Sequence, residues 1–142
     1  MFLGEYEHTI DDKGRLTVPS KFRDELAGGL VVTRGIDRCL LIYPIAEWMR
    51  LFERVSALPL NDRRVRAFRR RFFSAASDAT PDNQGRVLIP PRLREYAGLN
   101  GNVIVAGAGA YVEVWNPEQW AGERTYAEQA DFDLEELKPI EI

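Results

Sequence analysis

Apolar and polar residues alternate in short runs that stop at glycine or proline, and the runs come in two matching sets. Residues 5–10, a polar turn and residues 15–18 predict a β-hairpin, because period-two runs separated by Asp and Gly suit half-buried paired strands. The same arrangement returns as 73–79, turn, 86–89. Pro19 and Pro90 end the second strands, since proline cannot donate to a ladder. Short amphipathic helices follow. Ser20 can cap residues 21–27, Pro91 suits the first turn of 92–97, and Gly28 and Gly98 stand where these helices end. A further strand pair closes each set, 30–33 with 39–43 and 103–106 with 111–115, and Asn116-Pro117 reads as the cap and first residue of a final helix. Between the sets the period lengthens. Trp48, Leu51, Phe52, Val55 and Leu58 follow three-and-four spacing, Pro59 breaks it, and Val65, Phe68, Phe72 and Ala76 restart it.

The two sets are an internal repeat. DDKGRLTVPSKFRDEL from Asp11 aligns with DNQGRVLIPPRLREYA from Asp82, an offset of 71 residues. Identities fall at Asp11/Asp82, Gly14/Gly85, Arg15/Arg86, Pro19/Pro90 and Arg23/Arg94, and Lys21 aligns with Arg92. A repeat of this kind means one structural unit used twice. The expected organisation is a first module at 1–48, a helical connection at 49–72, a second module at 73–120 and an acidic C-terminal tail at 121–142.

Charge sharpens this division. The 142 residues carry a net charge of -3, but from Glu118 onward there are eight acids and two bases, which leaves +3 for residues 1–117. An acidic end thus masks a mildly basic body. Cys39, the one cysteine, sits in the apolar run CLLIY and reads as a buried free thiol in a reducing compartment. The N-terminus lacks the basic and apolar segments of an export signal, and no run approaches the length needed to span a bilayer, so no membrane partner is expected. No HExxH, phosphate-cradling glycine loop or nucleophile elbow occurs, which argues against an enzyme, and neither a metal nor a cofactor is implied.

The best-defined constellation is D-x-x-G-R before an apolar strand, present twice. An arginine held at the mouth of a two-stranded ribbon presents donors suited to a guanine edge or a phosphate, and such a ribbon fits the major groove. The candidate DNA-binding residues are Asp11, Lys13, Arg15, Lys21 and Arg23 in the first module, with Asp82, Arg86, Arg92 and Arg94 in the second. The aspartate can accept hydrogen bonds from turn amides or orient the arginine. The competing reading is a solvated turn arginine with no ligand. The second helix of the connection carries Arg63, Arg64, Arg66, Arg69, Arg70 and Arg71, a cationic face that can meet phosphate, a neighbouring subunit or the acidic tail. Trp48, Trp115 and Trp120 sit at apolar positions and read as core or subunit contacts.

FLGEYEHTIDDKGRLTVPSKFR, RRRFFSAASD and DNQGRVLIPPRLREYAGL together resemble the two halves and central joint of the MraZ family of transcriptional regulators, over residues 1–120. Its modules are similar to the swapped-hairpin folds of AbrB and MazE. The resemblance implies a mainly β fold with short helices (α+β), a double-split β-barrel made by two tandem AbrB-like modules. It also implies a ring-shaped homo-oligomer and a cytoplasmic, nucleoid-associated repressor binding short direct repeats of double-stranded DNA upstream of its own division and cell-wall gene cluster. The family's D-x-x-x-R element falls on Asp11 and Arg15, and on Asp82 and Arg86. One departure stands out: Lys13 of the first turn is Gln84 in the second, so the turns are expected to contribute unequally. The alternative is an AbrB/MazE-like protein-binding module, an antitoxin or scaffold. Two modules filling most of the chain favour the regulator.

Overall fold

In a computed structural model, which describes residues 1–133, 136 and 137, the strands form one eight-stranded antiparallel sheet. In chain order they are β1 (Glu5–Ile10), β2 (Arg15–Thr17), β3 (Leu30–Arg34), β4 (Leu40–Pro44), β5 (Ser77–Ala79), β6 (Arg86–Leu88), β7 (Gly101–Gly107) and β8 (Val112–Trp115). The helices are α1 (Arg23–Leu26), α2 (Ile45–Ser56), α3 (Arg63–Ser74), α4 (Pro91–Ala97) and α5 (Pro117–Gln129). Residues 134, 135 and 138–142 of the expected acidic tail lie outside the described residues.

Strand order is β5-β3-β4-β8-β7-β1-β2-β6. Each module's hairpin leaves its own half and pairs with the other. β1 runs along β7 from Glu5↔Ala106 to Ile10↔Gly101, and β5 runs along β3 from Leu30↔Ala79 to Val32↔Ser77. Two pairings join equivalent strands across the pseudo-two-fold axis, β2 with β6 and β4 with β8. The terminal strands β5 and β6 are consecutive in the chain, and the Asp82–Arg86 turn links them, so the sheet nearly closes into a barrel. Among the described residues the two edge strands, β5 and β6, are three residues long each, so little strand edge is left open.

The interior is built by alternation. Leu16, Val18, Val87 and Ile89 are buried from the central ribbon, and Phe22, Leu26, Leu93 and Ala97 of the short helical segments cover them. Burying such side chains stabilises by roughly 1.5–3 kcal/mol each. Both modules feed this main cluster, while Leu51, Val55 and Phe72 form a smaller one at the helical joint.

Several local expectations change. The strand expected from Phe73 begins only at Ser77, because Phe72 and Phe73 prolong α3 and pack on Trp48. Ala76 is not helical. β5 pairs with β3 and not with β6, so the second hairpin survives only as its turn. Ser20 opens a 3-10 turn, Ser20–Phe22, without capping it by its side chain. The left-handed residue after α1 is Gly29, φ 115°, and not Gly28, whereas Gly98 takes φ 62° at the end of α4 as expected. Asn116 caps α5 by accepting from the amides of Glu118 and Gln119.

Candidate nucleic-acid interface

Each D-x-x-G-R segment folds into the same turn. Asp11 Oδ1 accepts from the amides of Lys13 (3.0 Å) and Arg15 (2.8 Å), and Oδ2 accepts from Arg15 Nε at 2.7 Å. In the second copy Asp82 Oδ1 accepts from the amides of Gln84 and Arg86, each at 2.9 Å, and Oδ2 accepts from Arg86 Nε at 2.9 Å. The aspartate therefore fixes the turn and aims the arginine at once. The Arg15 and Arg86 side chains are 32% and 30% exposed, and among the described residues their Nη groups donate to no protein acceptor. Hydrogen bonds from the arginine's own amide are the main cause holding both carboxyls below the usual Asp range. This hold is present above the ordinary Asp pKa and is lost only as pH falls through the lowered one.

Gly14 (φ 84°) and Gly85 (φ 74°) supply the left-handed position. They also admit a close neighbour. A Cβ on Gly14 would stand 2.9 Å from Arg94 Cζ, and one on Gly85 would run into Arg23 Nε. These arginines, expected among the DNA contacts, lie across the opposite module's turn. Arg23 Nε donates to Val18 O (3.0 Å) and Arg94 Nε to Ile89 O (3.1 Å). Two backbone bonds lock the turns together, Val18 N to Gly85 O at 2.8 Å and Ile89 N to Gly14 O at 2.9 Å. The two turns thus form one unit across the pseudo-two-fold axis.

Register decides where the arginines point. Arg15 lies opposite Leu88, Leu16 opposite Val87, and Thr17 opposite Arg86. Opposed residues share a face, and alternation sends Leu16 and Val87 inward. Arg15, Thr17, Arg86 and Leu88 therefore share the outer face, the arginines about 7–8 Å apart on a diagonal. Of these four, only the arginines were among the candidates read from the sequence.

Comparison with known proteins agrees with this layout. The family model described as "MraZ protein, putative antitoxin-like" matches the chain twice, over residues 1–71 and 72–138. A protein of Thermomicrobium roseum named "Transcriptional regulator MraZ" is 53% identical over 123 residues, covering 87% of each chain. A protein of the same name from Heliobacterium modesticaldum is 47% identical over 137 residues, covering 96% of this chain and 94% of its own, and one from Roseiflexus castenholzii is 51% identical over 120 residues, 84% of each. The chain belongs to the MraZ family.

Within this MraZ chain the remaining candidates are spread around the ribbon. Lys13 and Gln84 are exposed at corresponding points of the turns, Lys21 is exposed in the 3-10 turn, and Arg92 in α4 donates from Nη2 to Ser74 O at 3.4 Å. The α3 arginines are differently employed. Arg64 gives Nε and Nη2 to Asp62, Arg66 donates to Leu60 O, and Arg71 donates to the Tyr96 hydroxyl. Trp115 is buried and Trp48 stacks on Phe72 at 5.3 Å, so neither offers a stacking platform for a base. Cys39 is buried, and burial followed by the charge of Glu113 pushes its thiol pKa up, which disfavours the thiolate. Among the described residues no group of three or more His, Cys, Asp or Glu is placed to hold a metal ion, and no helix is long and apolar enough to cross a membrane.

Proposed function

We propose that this protein is a sequence-specific DNA-binding transcriptional regulator that reads the major groove with the outer face of the β2/β6 ribbon. The observation that carries this reading is the pair of turns that hold Arg15 and Arg86 by Nε on one outer face of the ribbon and leave their Nη groups without a protein acceptor among the described residues. Such an edge matches the O6 and N7 acceptors of guanine, and pre-positioning lowers the entropy cost of contact. Family membership and the names of its relatives agree with regulation of transcription.

Asp11 and Asp82 orient the reading residues, Lys13 adds a phosphate contact that Gln84 lacks, Arg23 and Arg94 brace the turns, and Lys21 and Arg92 extend the basic rim. In this reading residues 1–48 and 73–120 supply the two halves of the face, 49–72 the helical joint, and 121–142 an acidic extension. The protein acts on nucleoid DNA in the cytoplasm as a repressor, and works as a ring-shaped homo-oligomer on short direct repeats. Exposed Met49, Phe52 and Leu60 of the helical joint supply apolar surface for assembly. Several weak ribbon contacts then act together.

The test is selection of duplexes from a random-sequence pool by the full chain, followed by affinity measurements on the recovered duplex at fixed salt. Recovery of a consensus sequence that Arg15→Ala no longer prefers over random DNA is the expected result. An unchanged preference removes the ribbon as the reading surface.

A further inference from the structure

We propose that Leu88 is a specificity-determining residue that packs on the C5-methyl group of a thymine beside the guanine read by Arg15. The inference rests on the ribbon reading above and adds a second kind of contact to it.

Leu88 is 59% exposed, and among the described residues it is the one large exposed hydrophobic side chain within a strand. Its neighbours Val87 and Ile89 are 1% and 0% exposed, so alternation along β6 pushes Leu88 outward at no cost to the core. A scattered surface leucine needs no explanation by itself. This one lies directly opposite Arg15 and two residues along β6 from Arg86, on the same outer face as both arginines that carry the proposed readout. On that face the Arg15–Leu88 pair joins a guanidinium to a branched apolar side chain. The major groove offers the matching pair, the O6/N7 edge of guanine and the methyl group of an adjacent thymine.

The other half of the ribbon differs. Where pseudo-symmetry would repeat Leu88, Thr17 stands opposite Arg86, with a hydroxyl and a smaller apolar surface. Lys13 against Gln84 distinguishes the halves in the same sense, because the turn that carries Arg15 also carries the extra cation. A pseudo-symmetric fold with an asymmetric reading face binds DNA in one orientation. Direct repeats, and not inverted ones, suit such a face.

The experiment uses the full chain and the duplex recovered from the random pool, with each thymine replaced singly by deoxyuridine, which removes only the C5-methyl. At a thymine next to an essential guanine the parent protein is expected to lose about fourfold in affinity per ribbon, the value of one buried methyl group. Leu88→Ala is expected to bind the thymine duplex correspondingly more weakly and to show no deoxyuridine penalty. Leu88→Thr should fall between the two, and all three proteins should keep the same oligomeric mass. The proposal is overturned if no deoxyuridine position weakens the parent, if Leu88→Ala retains the parent's penalty, or if Leu88→Ala changes the mass while leaving the penalty intact. Failure of the ribbon reading shows up separately, as Arg15→Ala binding the selected duplex like the parent.

Discussion

The turn arginines and the α3 arginines are the same chemical group put to opposite uses. Arg15 and Arg86 are tied at Nε by an aspartate four residues back, and among the described residues their Nη edge meets no protein acceptor. In α3 the nearest comparable aspartate is Asp62, which caps the helix by accepting from the Arg64 amide and also takes that arginine's Nε and Nη2. One geometry leaves the Nη edge without a protein acceptor, and the other spends the Arg64 guanidinium on the helix end. Density of positive charge is therefore a poor guide to a reading surface, and the bonding of each guanidinium a better one.

The largest separation of the two regions comes from the reading arginines themselves. Arg15→Ala and Arg86→Ala should each lower affinity for the selected duplex by roughly 5- to 150-fold per ribbon, with little change in affinity for random DNA, as measured by titration at one salt concentration. Arg15→Ala is expected to be the more severe, because its turn also carries Lys13 and faces Leu88. Next come Asp11→Ala and Asp82→Ala, which keep the arginine but free it. About a tenfold loss of selective affinity is expected, with the melting temperature lowered by a few degrees as for any lost Asp cap, since each carboxylate also accepts two amides of its turn. Lys13→Gln, which copies the second turn, should weaken binding to selected and random duplex alike and lower the salt slope by about one.

The smallest effects belong to α3. Arg63→Ala and Arg70→Ala should leave affinity for the selected duplex within about twofold of the parent, a change inside the range of a single screened surface charge. Asp62→Ala should lower the melting temperature by a few degrees through loss of the cap, while DNA affinity holds. A strong loss of DNA selectivity on altering α3 would reverse the comparison.

Much of this was legible in the chain. The Asp11/Asp82 repeat, the prolines at 19 and 90 and the Asn116-Pro117 cap located the turns, strand ends and final helix, because each rests on short-range backbone chemistry. The exchange of hairpins was implied by the family resemblance and not by the residue pattern, since a period-two pattern tells which face of β5 is buried but not which strand it joins. The surroundings of Arg23 and Arg94 were equally hidden. Only the crossed register places each against the other module's glycine. Leu88 did carry a signal: with Val87 and Ile89 inward, alternation alone turns it out. Inside an apolar run before a proline, that signal is easily read as core.

The central claim is that fixed turn arginines read guanine edges in the major groove, and 7-deazaguanine tests it most directly by removing the N7 acceptor while leaving pairing intact. In the selected duplex, 7-deazaguanine at one or more guanines should weaken binding of the parent and of Arg63→Ala alike. At the guanine read by Arg15 it should add no further loss to Arg15→Ala. If the substitution is harmless at every guanine, or if its effect persists in both Arg15→Ala and Arg86→Ala and vanishes in an α3 variant, the ribbon does not read the DNA.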